Sequence, residues 1–120
     1  MNSDFLRAWR VWIRSDRPIE NSRLRRGEAP SYALEVELDH LLSGVHTIGG
    51  YALSGRHVNF RELVLPELQQ LDALELELAD CPLSQLERNR FEACFRVTRS
   101  VLQALGDVGD HPITDVTSLS

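Results

Sequence analysis

The chain has 120 residues, 42% of them hydrophobic, 26% charged and 7% aromatic, with a formal charge of −5. That length fits one domain able to bury a core without metals or disulfide staples. It also excludes a membrane-spanning protein, since no apolar run reaches the roughly 18 residues a span requires, and the apolar content excludes a disordered chain.

Cys81 and Cys94 stand 13 apart with no Cys-x-x-Cys spacing, which predicts an intracellular chain with reduced thiols. Arg7, Arg10 and Arg14 interrupt any apolar core of a signal peptide. A cytoplasmic location is expected. All 13 basic residues are arginine, and residues 1–30 hold seven of them against four acids. From Glu62 to Asp80 there are six acids and no base. The chain is therefore cationic at one end and anionic in the middle, and either stretch could meet the other or steer a partner.

Four helical segments are predicted. The first runs from about Asp4 to Arg14, capped by Ser3 or Asp4. At about 100° per residue, Phe5, Leu6, Trp9, Trp12 and Ile13 share one stripe, with Arg7, Arg10 and Arg14 opposite. Residues 15–30 contain two prolines, a glycine and four arginines without periodicity, and read as a mobile connector.

The second helix follows Pro30, with Ser31 as its cap. Leu34, Leu38, Leu41, Val45, Ile48 and Ala52 recur at helical spacing. Gly44, Gly49 and Gly50 either end this helix near Gly49 or let a neighbouring helix approach closely. Ser54-Gly55 marks a turn. Asn59 with Glu62 then opens a third helix in the manner of a capping box. Val64, Leu68, Leu71, Leu74, Glu75 and Leu78 share its inner face, while Leu65 and Leu76 project to the other side. Pro66 falls in its first turns or kinks it. Leu74 to Leu78 also alternates as a strand would, but length, caps and the scarcity of β-branched residues favour helix. Ser84-Gln85-Leu86-Glu87 is a capping box for a fourth helix, and Gly106 is its expected C-terminal stop. Phe91, Cys94, Phe95, Thr98, Val101, Leu102 and Leu105 form the inner face. The tail from there to Ser120 contains Pro112 and is expected to fray. The fold class is thus all-α, a small bundle of about four helices in one domain spanning 1–120, with its helical core at 31–105.

No residue set announces catalysis. Glu37 and His40 have the Glu-x-x-His spacing of di-metal bundles, but such a site needs a second copy and two further inward glutamates. His57 and His111 fall in predicted loops without ligand-spaced partners, so no metal and no cofactor is expected. Cys94 sits on an apolar face, and Cys81 lies at a helix end, where the dipole disfavours a thiolate. There is no Gly-x-Ser-x-Gly elbow, phosphate-cradling glycine loop or dinucleotide fingerprint.

One short motif carries a resemblance. His46-Thr47-Ile48-Gly49-Gly50-Tyr51-Ala52 resembles the His-x-Leu-Lys-Gly-Ser-Ala core of histidine phosphotransfer domains over about seven residues, with Gly49 where that family has lysine. The resemblance implies a helical bundle whose exposed histidine, here His46, accepts phosphate from a receiver aspartate. His46 lies about 140° from the Leu41 stripe, which predicts exposure.

Negative charge and dispersed arginines argue against nucleic acid, and a helix of this length argues against stable membrane association. The apolar surface favours a binding module instead. An 11-residue helix bearing two tryptophans is marginal alone and must lie against something. Phe5, Trp9, Trp12, Leu65 and Leu76 are the candidate partner-binding residues, with Trp9 and Trp12 completing the chain's own core as the competing reading. The expected function is non-enzymatic: a homodimeric, bacterial-type acidic adaptor that covers a surface its partner protein needs. A transcription regulator, held as by an anti-activator, or a secretion-system component would be a natural partner. Phosphotransfer through His46 is the alternative.

Overall fold

A computed structural model describes residues 3–19 and 32–110, and the side chains of 109 and 110 lie outside that description. Among the described residues there are four helices and no strand: α1 (Ser3–Arg14), α2 (Tyr32–Leu53), α3 (Phe60–Asp80) and α4 (Gln85–Asp110). The protein is an all-α bundle.

Its local stops and starts are the ones hydrogen-bond accounting demands. α2 ends in a Schellman motif: Gly55 adopts φ +73°, the amide of Arg56 donates to the Tyr51 carbonyl (3.0 Å) and that of Gly55 to Ala52 (3.2 Å). Asn59 caps α3, its Oδ1 accepting from the Glu62 amide at 3.2 Å while its Nδ2 donates to the Glu62 carboxylate at 3.0 Å. Ser84 and Glu87 complete a reciprocal box at the start of α4: the Glu87 amide donates to Ser84 Oγ (3.2 Å) and the Ser84 amide to Glu87 Oε1 (3.3 Å). Each cap satisfies helix-terminal N–H groups that have no partner within the helix. Asn59→Ala and Ser84→Ala should therefore each lower unfolding free energy by about 1 kcal/mol, measured by urea titration.

Short turns make α2, α3 and α4 alternate in direction. Glu37 meets Glu77 while Gly44 lies opposite Glu67 across α2 and α3. Across α3 and α4, Arg88 meets Leu78, Arg99 meets Asp72, and Gly106 lies beside Val64. α1 runs antiparallel to α4, with Trp12 on Thr98 and, just beyond the helix, Asp16 on Arg90. The result is an up-down-up-down array in which the short α1 seats chiefly on α4.

The predicted inner faces are the core, except that Glu75, expected on the inner face of α3, is exposed. All six stripe positions of α2 are buried, as are the seven named positions of α4. In α3, Val64, Leu71, Leu74 and Leu78 are buried and Leu68 is packed at the margin. Leu74 and Leu78 point inward while Leu76 remains 73% exposed, so the alternating stretch is a helix carrying one surplus outward leucine. α3 also passes through Pro66 as one helix.

Of the two readings of the α2 glycines, close approach holds and a stop at Gly49 does not: the helix continues to Leu53, with the Trp9 ring against Gly49. Three expectations change. α4 does not stop at Gly106: that residue lies within the helix against Val64, and Val108 carries the buried face another turn. Packing thus outweighs the modest cost of a helical glycine. Ile13, expected within the α1 stripe, is 49% exposed. Finally, residues 15–19 of the expected connector are docked. Pro18 is buried, Ile19 packs on the core, and the Arg17 guanidinium lies 4.3 Å from the centre of the Trp12 ring. The Arg90 guanidinium, hydrogen-bonded to Asp16 at 2.8 Å, holds that carboxyl below its ordinary value. Ser31, residues 20–30 of the connector and the tail from 111 lie outside the described residues.

Candidate functional site

α1 presents Phe5, Trp9 and Trp12 to the bundle, and there they are buried, at 0%, 8% and 0% exposure. The three residues proposed from sequence as partner-binding are core instead. The reason is a fit between helices. Gly49 leaves the α2 backbone bare, and the six-membered ring of Trp9 occupies the space a Cβ would need. Trp9 then stands 5.8 Å from Phe5 and 5.1 Å from Trp12, centre to centre, within the range of favourable aromatic pairs. Trp12 donates its Nε1–H to Thr98 Oγ1 at 3.0 Å, a buried bond that satisfies both polar groups. Sequence reasoning placed Thr98 on the inner face of α4 but had no means of pairing it with a residue 86 positions earlier.

His46 is exposed, and its ring lies 5.6 Å from that of Trp9 and 6.4 Å from that of Trp12. It thus forms the outer edge of the aromatic cluster. At Gly49, where phosphotransfer domains have lysine, this chain seats an indole. His57 is exposed in the turn before α3, and His111 lies outside the described residues.

Leu65 and Leu76 behave differently: they stay on the surface of α3, at 54% and 73% exposure. The acids around them are not equivalent. On the α4 side, Asp72 and Glu75 both accept from Arg99, the Asp72 bond at 2.7 Å. On the α2 side, Glu77 lies against Glu37, and this acidic neighbour raises the Glu77 carboxyl above its ordinary value. Glu67 reaches across to Gly44, where a Cβ would fall 2.5 Å from its Oε1. Partial burial raises its carboxyl, against a smaller opposing pull from His40.

A groove of about 440 Å³ runs between α2 and α3, lined by Val36, Glu37, His40, Leu41, Pro66 and Glu67. Another of about 290 Å³ lies between α1 and α4, with Ala8, Val11 and Val97 in its wall. The first was missed from sequence; its faint signal was a glycine, Gly44, interrupting a run of helix formers opposite an acidic helix.

Burial raises the thiols of Cys94 and Cys81 above their ordinary values. Arg88 also does something the sequence did not reveal, donating to the Leu78 and Cys81 carbonyls at 2.6 and 2.8 Å and so capping α3 from α4. Among the described residues no group of three or more His, Cys, Asp or Glu is placed to hold a metal ion, and no helix is long and apolar enough to cross a membrane.

Compared with protein families, curated proteins and solved structures, the chain matches none.

Proposed function

We propose that this chain is a non-enzymatic, protein-binding regulatory module of the cytoplasm that masks a surface of a partner protein, with the outer side of α3 as its masking face. A transcription regulator or a secretion-system component remains the kind of partner a small acidic adaptor would suit. The observation that carries the reading is the exposure of Leu65 and Leu76 on a helix that has six acids and, after Arg61 in its first turn, no base. Fully burying one leucine side chain is worth about 1.5–3 kcal/mol, and these two stand about 16 Å apart along one side of α3. A partner helix lying along α3 would cover both, with basic residues meeting the acidic rim. With Phe5, Trp9 and Trp12 committed to the core, Leu65 and Leu76 are the members of the original set left to do this.

The test is a Leu65→Arg/Leu76→Arg double variant, compared with the wild-type chain by cross-linking in the native cell. A discrete cross-linked partner, or a second copy of the chain, should fall about tenfold in yield, the loss that 1.4 kcal/mol produces. The melting temperature should stay within a few degrees, because exposed positions contribute little to folding. Undiminished cross-linking would remove α3 from the interface. A phosphate on the chain that disappears in His46→Gln would replace this reading with phosphotransfer.

A further inference from the structure

We infer that the groove between α2 and α3 receives an arginine side chain carried by the partner's docking segment. The inference rests on the reading of the chain as a protein-binding module and adds the chemistry of what it binds.

The groove is a slot with apolar walls and an anionic lining. Leu41 and Pro66 supply the walls, and Val36 stands half exposed at the rim. Glu37 and Glu67 line it, His40 faces Glu67, and Glu77 joins Glu37 at its edge. Three acids elsewhere are answered with guanidinium groups: Arg90 on Asp16, Arg99 on Asp72 and Glu75. Among the described residues, no arginine is ion-paired to Glu37, Glu67 or Glu77. Glu77 instead has the acidic Glu37 as its neighbour.

Charge complementarity therefore selects a cation, and the walls select its kind. A guanidinium is planar, weakly hydrated and able to bond two carboxylates at once, while its methylene stem lies along apolar surface. A lysine ammonium is more strongly hydrated and lacks the planar fork. Gly44 belongs to this device, since its missing Cβ is what lets the Glu67 carboxylate lie across the groove. The raised carboxyls of Glu67 and Glu77 are in keeping with a site whose positive charge arrives from outside.

The test uses the full-length, ¹⁵N-labelled chain and the peptide acetyl-Leu-Arg-Leu-amide, with citrulline replacing arginine as the neutral control. The arginine peptide should shift backbone amides at 36–44 and 66–77, and the citrulline peptide should bind about tenfold more weakly, the loss of one charge-assisted bond. Glu67→Gln should weaken the arginine peptide by a similar factor. If that variant fails to fold, Gly44→Ala, which pushes the carboxylate aside, should do the same with helical circular dichroism retained. Equal shifts from both peptides, or none from either, would overturn the inference. The Leu65→Arg/Leu76→Arg variant should still bind the arginine peptide, so failure of the masking face and failure of the arginine slot give different results.

Discussion

Trp12→Ala should lower the unfolding free energy by about 3–5 kcal/mol, the usual cost of removing a fully buried tryptophan. Folded domains have only about 5–15 kcal/mol in total, so the variant should be largely depleted of native structure by mild heating. Two losses combine. The indole fills the space between α1 and α4, and its Nε1–H is the buried partner of Thr98. Thr98→Val separates them, because it keeps the volume and strands the indole N–H, at a cost of about 1–3 kcal/mol. Urea unfolding followed by circular dichroism measures both. Trp9 fluorescence in the Trp12→Ala background reports whether α1 leaves before the other helices melt. A change below about 1 kcal/mol in Trp12→Ala would show that α1 is no part of the cooperative core.

Neighbouring glycines should respond in opposite directions. Gly49→Ala places a methyl group inside the Trp9 ring, and a ring held between helices cannot swing aside as a flexible chain end would. The expected result is a net loss of about 1–3 kcal/mol from overpacking, with Trp9 more accessible to acrylamide quenching. Gly50→Ala meets nothing within 4 Å and should gain up to about 1 kcal/mol from helix propensity. Equal effects at the two positions, read as shifts in melting temperature, would mean that α1 does not seat on Gly49.

Both variants bear on function as well as stability. Because the tryptophans hold α1 to the bundle, losing partner binding in Trp12→Ala would report unfolding and not a lost contact. Leu65, Leu76, Val36 and Glu67 are the positions where binding and folding separate, since the leucines and Val36 are substantially exposed and Glu67 is only partly covered.

Much of the architecture was readable from residue order, because it depends on interactions between near neighbours. A capping box needs residues three apart, so Ser84 with Glu87 and Asn59 with Glu62 named their own helix starts. A buried helix face needs only a repeat near 3.6 residues, so the inner stripes of α2 and α4 were evident, and four helices followed from them. What residue order could not supply was which face met which. An apolar stripe carrying Trp9 and Trp12 is chemically equal whether it covers a partner or its own core; the choice rests on Gly49, thirty-seven positions beyond Trp12, and on Thr98 at the far end of the chain. Gly106 shows the same limit, since glycine can end a helix or let it pass close to a neighbour, and Val64 and Val108 decided for passage. The α2/α3 groove exists only because Val36, Glu37, His40 and Leu41 of α2 come to face Pro66 and Glu67 of α3. Short-range bonding sets the elements and long-range packing decides which surfaces remain, and it is the remaining surface that a partner meets.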